Sequence, residues 1–242
     1  MKVVAIVQAR MGSVRLPGKV MMTVLGRPVM DLLLARLARA KRVDVIGVAT
    51  SLNPENDTLV SHLEAQSVKV FRGEEHDVLA RYHGAAKAFG ADVIVRITGD
   101  CPLLDPQVID AVVECFFLSG VDYASNIAPP TYPDGLDVEV FSCEALDQAM
   151  REAEAGPERE HVTPYLRESG KFRTANIQHD QDLSNCRWTL DMSADLQVIK
   201  AVFEYFGDNI HFSWKQVLDL QTQKPELFAA NRTIIRNEGQ TM

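Results

Sequence analysis

The sequence predicts an α/β protein, a mostly parallel sheet between two layers of helices, and two observations carry that prediction. Short apolar runs alternate with segments of helical period through the first half of the chain, and strands separated by helices of about 10–15 residues imply parallel pairing through helical crossovers. The runs are rich in Val and Ile with little polar alternation, the mark of strands covered on both faces. A chain of 242 residues with 46% hydrophobic positions can bury a large core without disulfides.

The elements follow in order. Residues 3–7 read as a buried strand, and 29–40 as a helix with Leu32, Leu33, Leu37 and Ala40 at helical spacing. Residues 43–49 read as a strand, 57–66 as a helix, 68–71 as a short strand and 78–89 as an Ala-rich helix. A β-branched strand over 92–97 and a helix over 106–118 complete this rhythm. After Asp122 it gives way to a β insertion. Tyr132-Pro133-Asp134-Gly135 is a turn signal, and Leu136, Val138 and Val140 then alternate with Asp137 and Glu139, the period of a half-buried strand. A helix over 144–154 stops at Gly156-Pro157, strands are expected over 172–177 and 187–190, and a terminal helix over 194–206 precedes a tail expected to fray after Asn231.

Composition narrows the function classes. The formal charge is −8 and no Lys/Arg run occurs, which argues against a general nucleic-acid or anionic-membrane binder, since such surfaces need a basic stripe. Cys101, Cys115, Cys143 and Cys186 lack zinc-finger or CxxC spacing and are read as reduced thiols of a cytoplasmic protein. The first apolar run is too short for a signal segment, and no stretch is long enough to span a membrane. The six histidines show no ligand spacing.

The chemistry concentrates at strand ends. After the first strand comes Gln8-Ala9-Arg10-Met11-Gly12-Ser13-Val14-Arg15-Leu16-Pro17-Gly18-Lys19. Open α/β sheets bind ligands at the carboxyl ends of their strands, and Arg10, Arg15 and Lys19 with two glycines suit a polyphosphate, because glycine lets backbone N–H groups approach its oxygens. The spacing is neither a Walker A loop nor GxGxxG, and a solvated basic loop would look the same. A second strand ends at Thr98-Gly99-Asp100-Cys101-Pro102 and a third expected strand at Leu190-Asp191. Asp100 and Asp191 could converge on Mg²⁺, which takes one or two carboxylates plus substrate phosphates. Each also fits a helix N-cap, as does Ser193. Asp77 and Arg81 have the spacing of an i,i+4 pair.

Five ordered segments, QARMGSVRLPGK, RITGDCPL, YPDGLDVEVFS, EREHVTP and RWTLDMSADL, resemble the SpsF-type cytidylyltransferases of spore-coat and surface polysaccharide synthesis, relatives of the CMP-Kdo and CMP-sialate synthetases. The resemblance implies one Rossmann-like nucleotidyltransferase domain of GT-A-like fold over 1–242, usually dimeric. It implies transfer of CMP from CTP to an acidic or otherwise modified sugar, with pyrophosphate released and Mg²⁺ in the site. Arg10, Arg15 and Lys19 would then hold the triphosphate, Ala9, Gly12, Ser13, Thr98 and Gly99 would line the nucleotide, and Asp100 and Asp191 would hold the metal. Asp134, Asp137 and Glu139 would meet sugar hydroxyls, although an acidic solvent face reads the same way. Arg159 and His161 would lie near the acceptor, although a charged helix start has the same pattern. The alternatives are a GT-A-like glycosyltransferase and a non-catalytic nucleotide-binding module. A glycosyltransferase would want a DxD motif where this chain has Gly99-Asp100-Cys101.

Overall fold

The computed structural model describes residues 1–154 and 156–236. The central strand β1 (Val3–Gln8) has apolar residues on both sides: Val3, Ala5 and Val7 enter one core, Val4 and Ile6 the other. A strand with no solvent side is stable only inside a covered sheet. A tight hairpin, β2 (Thr23–Val24) and β3 (Arg27–Pro28), turns through Leu25 and Gly26 at φ 49 and 72 and leads into α1 (Val29–Leu37). Then follow β4 (Val45–Ser51), α2 (Asp57–Ala65), β5 (Lys69–Gly73), α3 (Val78–Phe89), β6 (Val93–Thr98) and α4 (Pro106–Ser119). The second half contributes β7 (Tyr123–Ser125), β8 (Glu139–Ser142), α5 (Cys143–Glu152), the short α6 (Pro157–His161) and α7 (Pro164–Glu168), and β9 (Thr174–Asn176). Two further α-helices, α8 (Ser193–Phe206) and α9 (Trp214–Gln223), are followed by a 3-10 helix over Pro225–Asn231.

The seven-stranded sheet has the order β5-β4-β1-β6-β8-β7-β9. Its first four strands are parallel, whereas β8 runs antiparallel to both β6 and β7. Apolar faces of α1, α4, α8 and α9 cover one side of the sheet, and those of α3, α5 and α7 the other. The predicted three-layer α/β architecture with a β insertion is therefore present. No helix among the described residues is long and apolar enough to cross a membrane.

Several expectations are corrected. Residues 187–190 are not a strand: Arg187 makes one isolated bridge to Asp134, and Trp188 and Leu190 donate their N–H groups to the carbonyls of Asp134 and Asp100. Burial of Trp188 and Leu190 creates the strand-like alternation without any ladder. The helix expected over 29–40 ends at Leu37. The strand expected over 136–140 begins only at Glu139, and the three-residue β7 has no counterpart in the sequence reading. The helix over 194–206 is not terminal, because α9 follows it. In the tail after Asn231, Arg236 bonds Tyr132 and Asp137, and the rest of the tail expected to fray, beyond 236, lies outside the described residues.

Candidate active site

In the register of the parallel pair β1 and β6, Gln8 lies beside Thr98, so the segments leaving both strands open at one sheet edge. Gly99 N–H donates to the Gln8 carbonyl at 2.8 Å. A Cβ on Gly99 would lie 3.0 Å from both that oxygen and the Ala9 Cβ, so glycine lets the two exits lie against each other and delivers Asp100 beside the first loop. That loop is pinned: Ala9 N–H bonds Ala49, Met11 N–H bonds the buried Asn56 side chain at 2.8 Å, and both Ser13 and Gly18 N–H groups return to the Met11 carbonyl. Gly18, at φ 70, turns the chain into Lys19.

The Lys19 ammonium lies 2.7 Å from Asp100 Oδ2 and 2.6 Å from Asp191 Oδ1, and Arg15 reaches Asp191 Oδ2 at 2.8 Å. Burial disfavours both charges, but the pairing outweighs it: the Lys19 pKa lies above its ordinary value and that of Asp100 falls to about 2. Neither aspartate is a helix cap. Asp105 caps α4 through the Gln107 N–H, while Asp195 accepts the Asp191 and Met192 N–H groups at the start of α8. Ser193 is simply the first residue of that helix. The Asp191 carboxylate is thus available to face the loop.

Beside this cluster lies a cavity of about 370 Å³. It is walled by β6, by Asp134, Asp137 and Glu139, by the α6–α7 junction and by the 187–192 segment. Glu139 does not belong to a solvent face. It is 2% exposed, opposes Arg96 in the β6–β8 register, and accepts hydrogen bonds from Arg96 at 3.1 Å and Thr163 Oγ1 at 2.9 Å. Asp137 is held by Arg236 at 2.5 Å and Asp134 by Arg187 at 3.2 Å. Burial and the neighbouring Asp137 carboxylate push the Asp134 pKa up to about 7, against the pull of Arg236 and Arg187. Gly135, at φ 106, packs so closely on the Trp188–Thr189 backbone that a Cβ would come within 2.7 Å, which fixes the turn carrying Asp134 to the segment carrying Asp191.

The sequence-predicted residues divide accordingly. Arg15, Thr98, Asp100, Asp134, Asp137, Glu139, His161 and Asp191 line the cavity, and Lys19 bridges its two aspartates. Ala9, Gly12, Ser13 and Gly99 belong to the adjoining chain exits, Gly12 lying against Glu55. Arg10 faces Glu75 at 3.7 Å instead. Arg159 is absent from the cavity wall: it binds Asp77 at 2.6 Å and ties α6 to α3. Asp77 therefore does not form the expected pair with Arg81, which donates to the carbonyls of Glu74 and Glu75. Arg96, Thr163, Arg167, Arg187 and Arg236 were missed. Only Arg96, a charge inside an apolar strand, carries a local signal.

The paired carboxylates fit Mg²⁺. They are hard oxygen donors from separate segments converging on a single cationic position, and Mg²⁺ takes few protein ligands beside substrate phosphates. Among the described residues no group of three or more metal-ligating side chains occurs, so the donor set suits that shared mode better than an all-protein cage.

Residues 4–217 match the Cytidylyltransferase family. The chain is 32% identical over 229 residues to the spore coat polysaccharide biosynthesis protein SpsF of Bacillus subtilis, spanning 91% of this chain and 94% of that one. The structure of a cytidylyltransferase from Leptospira borgpetersenii aligns with a TM-score of 0.91 at 32% identity, over 98% of this chain and 100% of the other. A CMP:2-keto-3-deoxy-manno-octonic acid synthetase complexed with CTP shares the fold, with a TM-score of 0.65 at 17% identity over 86% of this chain and 100% of that one. The chain belongs to the cytidylyltransferase family and is a nucleotidyltransferase, which sets aside the glycosyltransferase and non-catalytic alternatives.

Proposed function

Starting from membership of the cytidylyltransferase family, we propose that the chain acts as one domain over 1–242. In this reading it transfers CMP from CTP to a hydroxyl of a sugar bearing an anionic group. The observation that carries the reading is the meeting of Arg15, Lys19, Asp100 and Asp191 at the carboxyl edge of β1 and β6, beside a polar cavity of about 370 Å³. The sugar hydroxyl oxygen attacks the α-phosphorus in line with the pyrophosphate: the new O–P bond forms as the bond to the bridging oxygen breaks, pyrophosphate leaves, and the hydroxyl proton is released to solvent. Such a transfer needs positioning and charge neutralisation more than covalent help. Arg15 and Lys19 offset charge on the triphosphate and on the leaving group. Ala9, Gly12, Ser13, Thr98 and Gly99 line the nucleotide, where small residues allow close backbone approach. Asp100 and Asp191 would hold Mg²⁺, which when bound supplies further neutralisation of the phosphates.

The acceptor occupies the cavity. Its anionic group is met by Arg96 and Arg167, whose buried Nε atoms have no hydrogen-bond partner among the described residues, a costly state that an anion relieves. Asp134, Asp137 and Glu139 accept from sugar hydroxyls, and His161 completes the wall. Exposed Phe117 and Leu118 on α4 offer apolar surface for a homodimer, and four free cysteines suit a reducing cytoplasm.

Pyrophosphate release with Mg²⁺ and CTP, measured against a panel of 3-deoxy-manno-octulosonate, N-acetylneuraminate and neutral hexoses, tests this. Turnover with a sugar acid and larger thermal stabilisation by CTP than by ATP, GTP or UTP are expected. Preference for another nucleotide or for the neutral sugars would overturn it.

A further inference from the structure

The cations assigned to the triphosphate and the carboxylates assigned to the metal are bonded to one another. Lys19 donates to Asp100 at 2.7 Å and to Asp191 at 2.6 Å, and Arg15 pairs with the other oxygen of Asp191 at 2.8 Å. Two positive and two negative groups thus neutralise each other, with the ammonium between the two carboxylate oxygens that would receive a divalent cation.

A third cation, Arg187, approaches Asp191 only at 3.8 Å, and it is committed elsewhere: its Nε and one NH2 group bind the two oxygens of Asp195 at 2.9 and 3.0 Å. Arg187 is fixed in place on a fully buried carboxylate, whereas Lys19, 11% exposed at the start of a single 3-10 turn, meets carboxylates that are 20% and 24% exposed, and Arg15 is 38% exposed. The exchangeable cations are therefore those of the phosphate loop.

Each ligand alone meets an unfavourable partner. A divalent cation must displace an ammonium held by two charge-assisted hydrogen bonds. A triphosphate that draws Lys19 and Arg15 to itself leaves two uncompensated carboxylates facing its own negative charge. Bound together, the ligands compensate all four side chains.

From this geometry we infer that Lys19 is a built-in counter-ion that couples the two binding events, so the site takes a cation and a triphosphate as one unit and holds either alone weakly. The inference rests on the nucleotide reading above.

Titration with Mn²⁺, followed by the electron paramagnetic resonance signal of the free ion, tests it without turnover. In the wild-type protein the α,β-methylene analogue of CTP should tighten Mn²⁺ binding by about 5- to 150-fold, and Mn²⁺ should tighten the analogue by the same factor, because binding coupling is reciprocal. Lys19→Met should raise Mn²⁺ affinity without nucleotide by about tenfold or more, since it removes a competing charge-assisted contact. Lys19→Arg should keep the wild-type weakness. Thermal melting verifies that each variant is folded, and Arg15→Gln gives an independent, smaller tightening.

Unchanged or weaker Mn²⁺ binding by Lys19→Met and Arg15→Gln overturns the counter-ion role. Analogue binding that is indifferent to Mn²⁺ overturns the coupling while leaving the nucleotide reading intact. If Lys19→Met tightens Mn²⁺ but the analogue never binds, the counter-ion stands and the nucleotide reading beneath the coupling falls.

Discussion

Asp191 stands between two ion networks of similar chemistry and opposite character. On one side Arg187 pairs with Asp195, which is fully buried and also accepts from Asn231 at 2.8 Å and from the Asp191 and Met192 backbone. On the other side Lys19 and Arg15 pair with carboxylates that are a fifth to a quarter exposed. The buried network satisfies its charges with directional bonds from several segments, so no ligand can replace them. The loop network rests on three side-chain contacts of 2.6–2.8 Å, and although Lys19 itself is 11% exposed its carboxylate partners reach solvent, so a cation or a phosphate can take the place of one member. Pairing alone does not mark a functional group, and a charge pair becomes exchangeable where its carboxylates reach solvent and few other bonds hold them.

The sharpest way to break this comparison is to remove one cation from each network. Arg187→Met leaves Asp195 buried and unpaired, which should cost about 3–5 kcal/mol in denaturant unfolding. Lys19→Met leaves carboxylates that water can still reach, so it should cost less, about 1–3 kcal/mol, while turnover falls steeply. Equal losses of stability would show that the two networks are equivalent.

A smaller effect should come from Asp134, which touches the buried network through Arg187. Its pKa of about 7 lies above the ordinary 3.8, so between about pH 4 and 7 the folded chain holds a proton that the unfolded chain has released. The stability that goes with that proton is complete below about pH 4 and falls progressively until about pH 7, by at most about 4 kcal/mol. Asp134→Asn should therefore melt closest to wild type near pH 4 and progressively further above it up to about pH 7, with the gap constant beyond. A wild-type curve with no such fall would remove the buried, under-compensated carboxyl from this account.

The smallest effect concerns Arg159, whose pair with Asp77 is 22% and 30% exposed. Arg159→Ala should cost about 0–1 kcal/mol and leave the KM values for CTP and acceptor unchanged, because Arg159 is not in the cavity wall. A raised acceptor KM would return it to the site.

Much of the parallel half could be read from the chain because its signals are local. Buried β-branched runs marked β1 and β6, and the loop cations and Asp100 follow those strand ends within about a dozen residues. Residues 187–190 misled for the same reason: alternation reports that Trp188 and Leu190 are buried, and says nothing of whether a ladder partner exists. β7 spans only three residues, too few for any period to register.

The chain's own periodicity and turn chemistry, which act over one element at a time, determined the strands and helices of the parallel half from β1 to α4 and which of its strand ends carry charge. Tertiary structure alone decided which charges meet. Lys19 reaches Asp191 across 172 positions, Arg236 reaches Asp137 across 99, Arg187 reaches Asp134 across 53 and Arg96 reaches Glu139 across 43. Separations of that size leave no local pattern. They depend on the strand order, which turns β8 antiparallel against β6 and sets the 187–191 segment over the carboxyl edge of the sheet, so that distant side chains share one cavity.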